Sequence, residues 1–313
     1  MKTKEKNFVS AVVYVHNADS SLERFLRMIV HTLEENFEHS EVICVNDRSD
    51  DGSLDVIREV AAGTKKTSLS VVNMSYYHGL EAAMNAGIDL AIGDFVFEFD
   101  NSRPDFQADE IMRVYSRSLE GFDIVSASPR KKERVSSKLF YALFKRFATL
   151  PYHMTSESFR ILSRRVINRI GSMNKTVPYR KAVYAASGLK SDHLFYEPLS
   201  DDKKTRRDRK ERQYRVNLAV DSLILFTEVG YYFAISMTLL MMIMSVFMIM
   251  YSLITYFISA PVVGWTTTIL FLSVAFFGLF GILTVIIKYL QILIDLVFKR
   301  TRYSYESVEK LTK

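Results

Sequence analysis

The chain has 313 residues, of which 49% are hydrophobic, a formal net charge of +6 and a single cysteine. That length holds one large domain, or a medium domain with an appendage, and one cysteine excludes an internal disulfide. The basic excess is concentrated beside an apolar part of the chain, where attraction to anionic lipid accounts for it and no nucleic-acid partner is needed.

The start, MKTKEKNFVSAVVYV, has no long apolar core with a small-residue cleavage site and runs straight into a strand, so no signal peptide is expected. Short β-branched runs follow at Phe8–Val15, Glu41–Val45, Ser68–Asn73, Asp94–Asp100 and Asp123–Ser126. Their spacing is that of βαβ units and predicts an α/β domain with a mostly parallel sheet over residues 1–200. Between the first two runs, Leu22, Phe25, Leu26, Ile29, Val30 and Leu33 recur at helical spacing and form one apolar face. Cys44 lies inside the apolar EVICV and reads as a buried structural thiol. In SDDGSLDVI, Asp50, Asp51 and Ser53 read as helix caps.

After about residue 128 the pattern changes. RKKERVSSKLFYALFKRF joins basic residues to an amphipathic segment carrying Leu139, Phe140, Leu143, Phe144 and Phe147, which lies either in a bilayer interface or against the sheet. Residues 201–228 form a basic connector and a juxtamembrane amphipathic helix. From Val229 to Ile287 there is no Asp, Glu, Lys or Arg, a run long enough for two membrane crossings of roughly 20 residues each. Ser259, Ala260, Pro261 and Gly264 supply the turn, so region 229–298 is expected to hold two transmembrane helices, near Val229–Ile258 and Thr266–Ile287. Basic residues flank the pair on both sides and none lies in the loop, which puts both termini and the tail, 299–313, in the cytoplasm at the inner membrane.

Ligands of a parallel sheet bind beyond the carboxyl ends of its strands. Three polar clusters fall there: His16-Asn17-Ala18-Asp19, Asn46 to Gly52, and Asp100-Asn101-Ser102. A carboxylate in that position can accept bonds from a base or ribose, or hold a divalent metal beside a diphosphate.

VVYVHNADSSL, VICVNDRSDDGSLDVI, YYHGLEAAMNAGIDLAIGDFVFEFDNS and SFRILSRRVI resemble the ordered blocks of family 2 inverting glycosyltransferases of the GT-A fold. YRVNLAVDSL, the paired apolar helices and FKRTRYSYE resemble the branch that moves sugars onto polyprenyl phosphates, such as dolichol-phosphate mannose synthases and undecaprenyl-phosphate glucosyltransferases. The resemblance implies that Asn17, Asp47, His78, Gly79 and Asn85 bind the nucleotide. It implies that Asp100 approaches ribose, diphosphate and a Mg²⁺ or Mn²⁺ ion, and that Arg130 and Arg160 meet acceptor or diphosphate charge; Arg134, in the basic cluster with Arg130, Lys131 and Lys132, either receives the lipid phosphate or belongs to a general headgroup-binding cluster. Implied partners are a nucleotide-diphosphate sugar, a polyprenyl phosphate and the membrane, and relatives of this branch also form homo-oligomers.

The departures are specific. Ser102 stands where the second aspartate of the metal-binding element belongs, and Thr155 and Ser158 stand where acids precede the FR block, with Glu157 the nearby carboxylate. Asp100 and Ser102 with substrate phosphates can hold Mg²⁺, which keeps several waters. Strand periodicity alternatively pairs Asp100 with Glu98 on one face, unless Glu98 is an ordinary strand residue. Glu157 is either a base or orienting group or an ordinary exposed loop residue. A phosphate monoester, largely ionised at neutral pH, tolerates loss of a base better than a sugar hydroxyl does. The sequence therefore points to transfer onto polyprenyl phosphate. A lipid-linked saccharide hydroxyl as acceptor and a catalytically silent scaffold are the competing readings.

Overall fold

A computed structural model describes residues 3–103, 105–130, 157–172, 179–199, 265–298 and 305–312, with isolated positions between 216 and 250. Strand and helix alternate through β1 (Val9–Val15), α1 (Asp19–Asn36), β2 (Ser40–Asn46), α2 (Ser53–Gly63), β3 (Ser68–Met74), α3 (Leu80–Leu90), β4 (Phe95–Phe99), α4 (Asp109–Leu119) and β5 (Ile124–Pro129). Then come β6 (Phe159–Ser163), α5 (Arg164–Ser172), α6 (Arg180–Ala186), β7 (Ser191–Tyr196), α7 (Trp265–Phe298) and β8 (Tyr305–Lys310). The strands form one sheet in the order β7-β5-β6-β4-β1-β2-β3-β8.

The α/β, largely parallel architecture follows from what each strand buries. Along β1, Val9, Ala11, Val13 and Val15 pack into the core that holds α1, whereas Val12 packs with Ala83, Met84 and Ala86 of α3 on the opposite face. A strand covered on both faces has no polar side to show, hence the unbroken apolar runs. The predicted face of α1 is buried throughout. Helix α3 lies close to the sheet because Gly87 has no side chain; a Cβ there would stand 2.4 Å from Val12 and 2.6 Å from Val45. Cys44 is fully buried, as expected, and burial pushes its thiol up to about 12.

Two strands break the parallel pattern. β6 runs antiparallel between β4 and β5, with Glu98 opposite Arg160, so it enters the sheet at the rim where β4 ends. β8, from the segment expected to be a tail, pairs antiparallel with β3 and closes that edge. Arg164 of α5 locks the turn before β4 through bonds to the Ala91 and Gly93 carbonyls.

Helix α7 continues past the expected end at Ile287, through Lys288, which pairs with Asp221 at 2.9 Å. Gly278 abuts Met241: a Cβ there would lie 2.5 Å from the Met241 Cε. Leu272, Phe276, Leu279, Leu283, Ile286 and Leu290 form an exposed apolar stripe along α7. Of this helix the side chains are described at part of its positions only, and over the described residues no helix is long and apolar enough to cross a membrane. The amphipathic segment after residue 130, the basic connector and the expected turn near Pro261 lie outside the described residues.

Candidate functional site

Strands β2 and β4 flank β1 and run parallel to it, so their carboxyl ends share one rim, about 10 Å apart at two strand spacings. Asp47 follows β2 and Asp100 follows β4, which puts both on that rim. Asp47 is fully buried. Its Oδ1 accepts the His78 N–H and its Oδ2 the Gly79 N–H, each at 2.8 Å, and Oδ2 also accepts the Tyr14 hydroxyl at 3.0 Å. A charged acceptor for consecutive amides pins the loop before α3, where Gly79 takes a φ of 83° that favours glycine. His16 Nδ1 lies 2.7 Å from the Asp47 carbonyl, and its ring stands against Tyr77. Asn17, also left-handed at φ 48°, accepts the Asp50 N–H at 2.9 Å, while its own N–H donates to Ser49. Ser53 accepts the Ala18 N–H and donates its own N–H and hydroxyl to Asp51, which joins the first two loops at the start of α2, where Gly52 is the cap residue and no side chain caps the helix. Tyr76 and His78 stack at 3.9 Å on the outside of this loop cluster.

The Asp100 side is built from ion pairs. Arg160 donates to Glu98 and Asp100 at 2.7 Å each and to Glu157 at 3.1 Å. Arg180 donates to Glu81 at 2.9 Å and to Asp100 at 2.7 Å. The Tyr184 hydroxyl donates to Glu98, and Lys181 lies 3.8 Å from Glu157. Burial pushes the Asp100 carboxyl up, but Arg160, Arg180 and Lys181 overcome it and hold it at about 2. Burial likewise opposes the charge on both arginines, and the surrounding carboxylates more than reverse this, so both stay protonated. The Tyr184 hydroxyl is pushed up by burial and by Glu98 and stays neutral.

The two sides are one structure. His78 and Gly79 are tied to Asp47, and Glu81, in the first turn of the helix they open, holds Arg180 against Asp100.

The expected residues distribute as follows. Glu98, Asp100, Glu157 and Arg160 meet in the ion network; Asn17, Asp47, His78 and Gly79 meet in the loop cluster. Asn85 lies further along α3 and lines a cavity with Arg180, Val183, Tyr184 and Leu162. Arg130 follows β5, exposed and 3.3 Å from Glu197. Arg134 and Thr155 lie outside the described residues. Sequence reasoning missed Glu81, Arg180, Lys181 and Tyr184. The adjacent basic pair in PYRKAVY was the available signal, but the partners of Arg180 are 80 or more residues away and no spacing rule reaches them.

The metal expected at Asp100, Ser102 and Glu98 meets an unsuitable donor set. Each Asp100 oxygen already accepts from a guanidinium, both Glu98 oxygens are bonded to Arg160 and Tyr184, and Ser102 is neutral. Among the described residues, no three His, Cys, Asp or Glu side chains are grouped to hold an ion. The period-two expectation for Glu98 and Asp100 does hold, since both face the same arginines; what they bind there is guanidinium.

Residues 10–171 match the family model for glycosyl transferase family 2. The chain belongs to that family. Its sheet is the GT-A domain expected of such enzymes. An uncharacterized glycosyltransferase, sll0501, of Synechocystis sp. is 26% identical over 195 residues, covering 60% of each protein. The undecaprenyl-phosphate 4-deoxy-4-formamido-L-arabinose transferase of Aeromonas hydrophila is 31% identical over 135 residues, 42% of this chain and 40% of that enzyme. The chain thus spans 60% or less of the length of either relative. Among solved structures, the mannosyltransferase PcManGT of Pyrobaculum calidifontis, in complex with GDP-Man and Mn²⁺, aligns over 70% of this chain and 63% of its own at 18% identity, with a TM-score of 0.48.

Proposed function

We propose that this protein is a membrane-bound inverting glycosyltransferase that moves a sugar from a nucleotide-diphosphate donor to a polyprenyl phosphate. The observation that carries the proposal is the joining of the Asp47 loop cluster and the Asp100 ion network at one sheet rim, in a chain of this family. The named activity of the Aeromonas relative supports the acceptor class.

Each residue then has a physical task. Asp47 fixes the loop at His78 and Gly79, so that this loop and the Asn17 turn form a preorganised nucleotide cradle. Tyr76 and His78 offer a stacked aromatic edge to the base. Arg160, Arg180 and Lys181 set cationic hydrogen-bond donors beside the position of the departing diphosphate. Glu157 is buried against Arg160 and Lys181, and its work is to hold these cations; an ionised acceptor phosphate attacks without a base. Arg130, exposed at the same rim, is placed to meet acceptor phosphate.

The charge-free run Val229–Ile287 supports anchoring by two membrane helices, and the exposed apolar stripe on α7 is what lipid would cover. Basic flanks on both sides of the run support a cytoplasmic catalytic domain. Purified full-length protein incubated with undecaprenyl phosphate and a panel of nucleotide sugars should yield a lipid-linked sugar with one donor. Sugar recovered on a saccharide hydroxyl would redirect the acceptor assignment, and absence of product with every donor would sink the proposal.

A further inference from the structure

Resting on that transferase reading, we infer that the donor diphosphate is held by Arg180 and Lys181, with Asp100 acting as the carboxylate that positions the arginines, and that nucleotide binding needs no divalent ion. Arg180 is 3% exposed, yet its Nη1 has no hydrogen-bond partner among the described residues. Among the described residues its neighbour of opposite charge is Glu98 at 3.4 Å, beyond good bonding geometry. A buried guanidinium donor without an acceptor is uncommon, and a phosphate oxygen is the acceptor its planar fork suits best.

The carboxylates around Arg180 are already committed. Glu81, Glu98, Asp100 and Glu157 face Arg160, Arg180 and Lys181, four negative groups against three positive. Each of these carboxylates is paired with a cation, whereas a site for Mg²⁺ or Mn²⁺ needs uncommitted carboxylate oxygens. An ion placed on Asp100 would also stand beside two guanidinium groups already in contact with the same carboxylate. Ser102, where an acid would supply the second ligand, adds no charge. Lys181 is 13% exposed, the most accessible cation of the group, and sits next to Arg180 in the chain. Arg180 thus occupies the electrostatic role against Asp100 that a metal would take, and Lys181 extends it toward solvent.

Calorimetric titration of the full-length protein in nanodiscs with UDP, GDP, CDP, ADP and dTDP, in EDTA and again with excess Mg²⁺ or Mn²⁺, tests this. One nucleotide should bind with the same affinity in both buffers. Lys181→Ala and Arg180→Lys, the second keeping charge but losing the fork, should each weaken binding in EDTA about tenfold. Binding only with metal would overturn the inference and leave the transferase reading standing. Unchanged affinity in both variants would overturn the assignment to Arg180 and Lys181. Binding of no nucleotide in either buffer would remove the transferase reading itself, and this inference with it.

Discussion

Asp47 and Asp100 are the same residue type at the ends of two strands that flank β1, and they are held in opposite ways. Asp47 is surrounded by neutral donors, two backbone amides and a tyrosine hydroxyl, and its charge is spent on shaping a loop. Asp100 is surrounded by guanidinium groups, and its charge is spent on holding other charges. A strand-end carboxylate is therefore defined less by its position than by what the next layer of structure presents to it.

The sharpest way to break the contrast is Arg160→Met. It leaves Glu98, Asp100 and Glu157 without their shared cation, and removing one partner of a buried pair costs about 3–5 kcal/mol. Urea unfolding should show a loss of that size; a loss under about 1 kcal/mol would mean the network is solvated.

Acid probes the Asp100 half. Its folded value of about 2 lies below the ordinary 3.8, so it contributes stability above pH ~4 that is lost as pH falls toward 2. The shift corresponds to about 2 kcal/mol, and Asp100→Asn should flatten that part of the stability curve. A curve unchanged between pH 4 and 2 in the variant would contradict the ion-pair account.

Asp47→Asn probes the neutral half. The amide keeps one acceptor and turns an N–H toward a backbone N–H, at a cost of about 2 kcal/mol. It should also weaken nucleotide binding through the displaced loop, read by the same titration. The smallest effect belongs to the far edge. Ser307→Ala removes one bond to Asn73, which itself bonds Asn46 beside Asp47, and should lower stability by about 1 kcal/mol or less.

Several features were legible in the residues because they depend on local periodicity. The apolar face Leu22 to Leu33 of α1, the parallel strands β1 to β5 and the buried Cys44 all follow from period and β-branching. So does the placement of Asn17, Asp47 and Asp100 at strand ends. β8 was not legible: YESVEK has no apolar face, its Tyr305 and Val308 falling on opposite sides of a strand, and it pairs with the backbone groups that the β3 edge offers.

What the sequence determined by itself was the rim, the family and the 59-residue charge-free stretch from Val229 to Ile287, since each is written in consecutive or regularly spaced residues. Only the tertiary structure decided that β6 enters antiparallel beside β4, so that Arg160 meets Glu98 and Asp100, and that Arg180 arrives from α6 to share the same carboxylate. Ion pairs depend on distance in space, and a separation of 60 to 80 residues between partners leaves no trace in local pattern until the chain has folded.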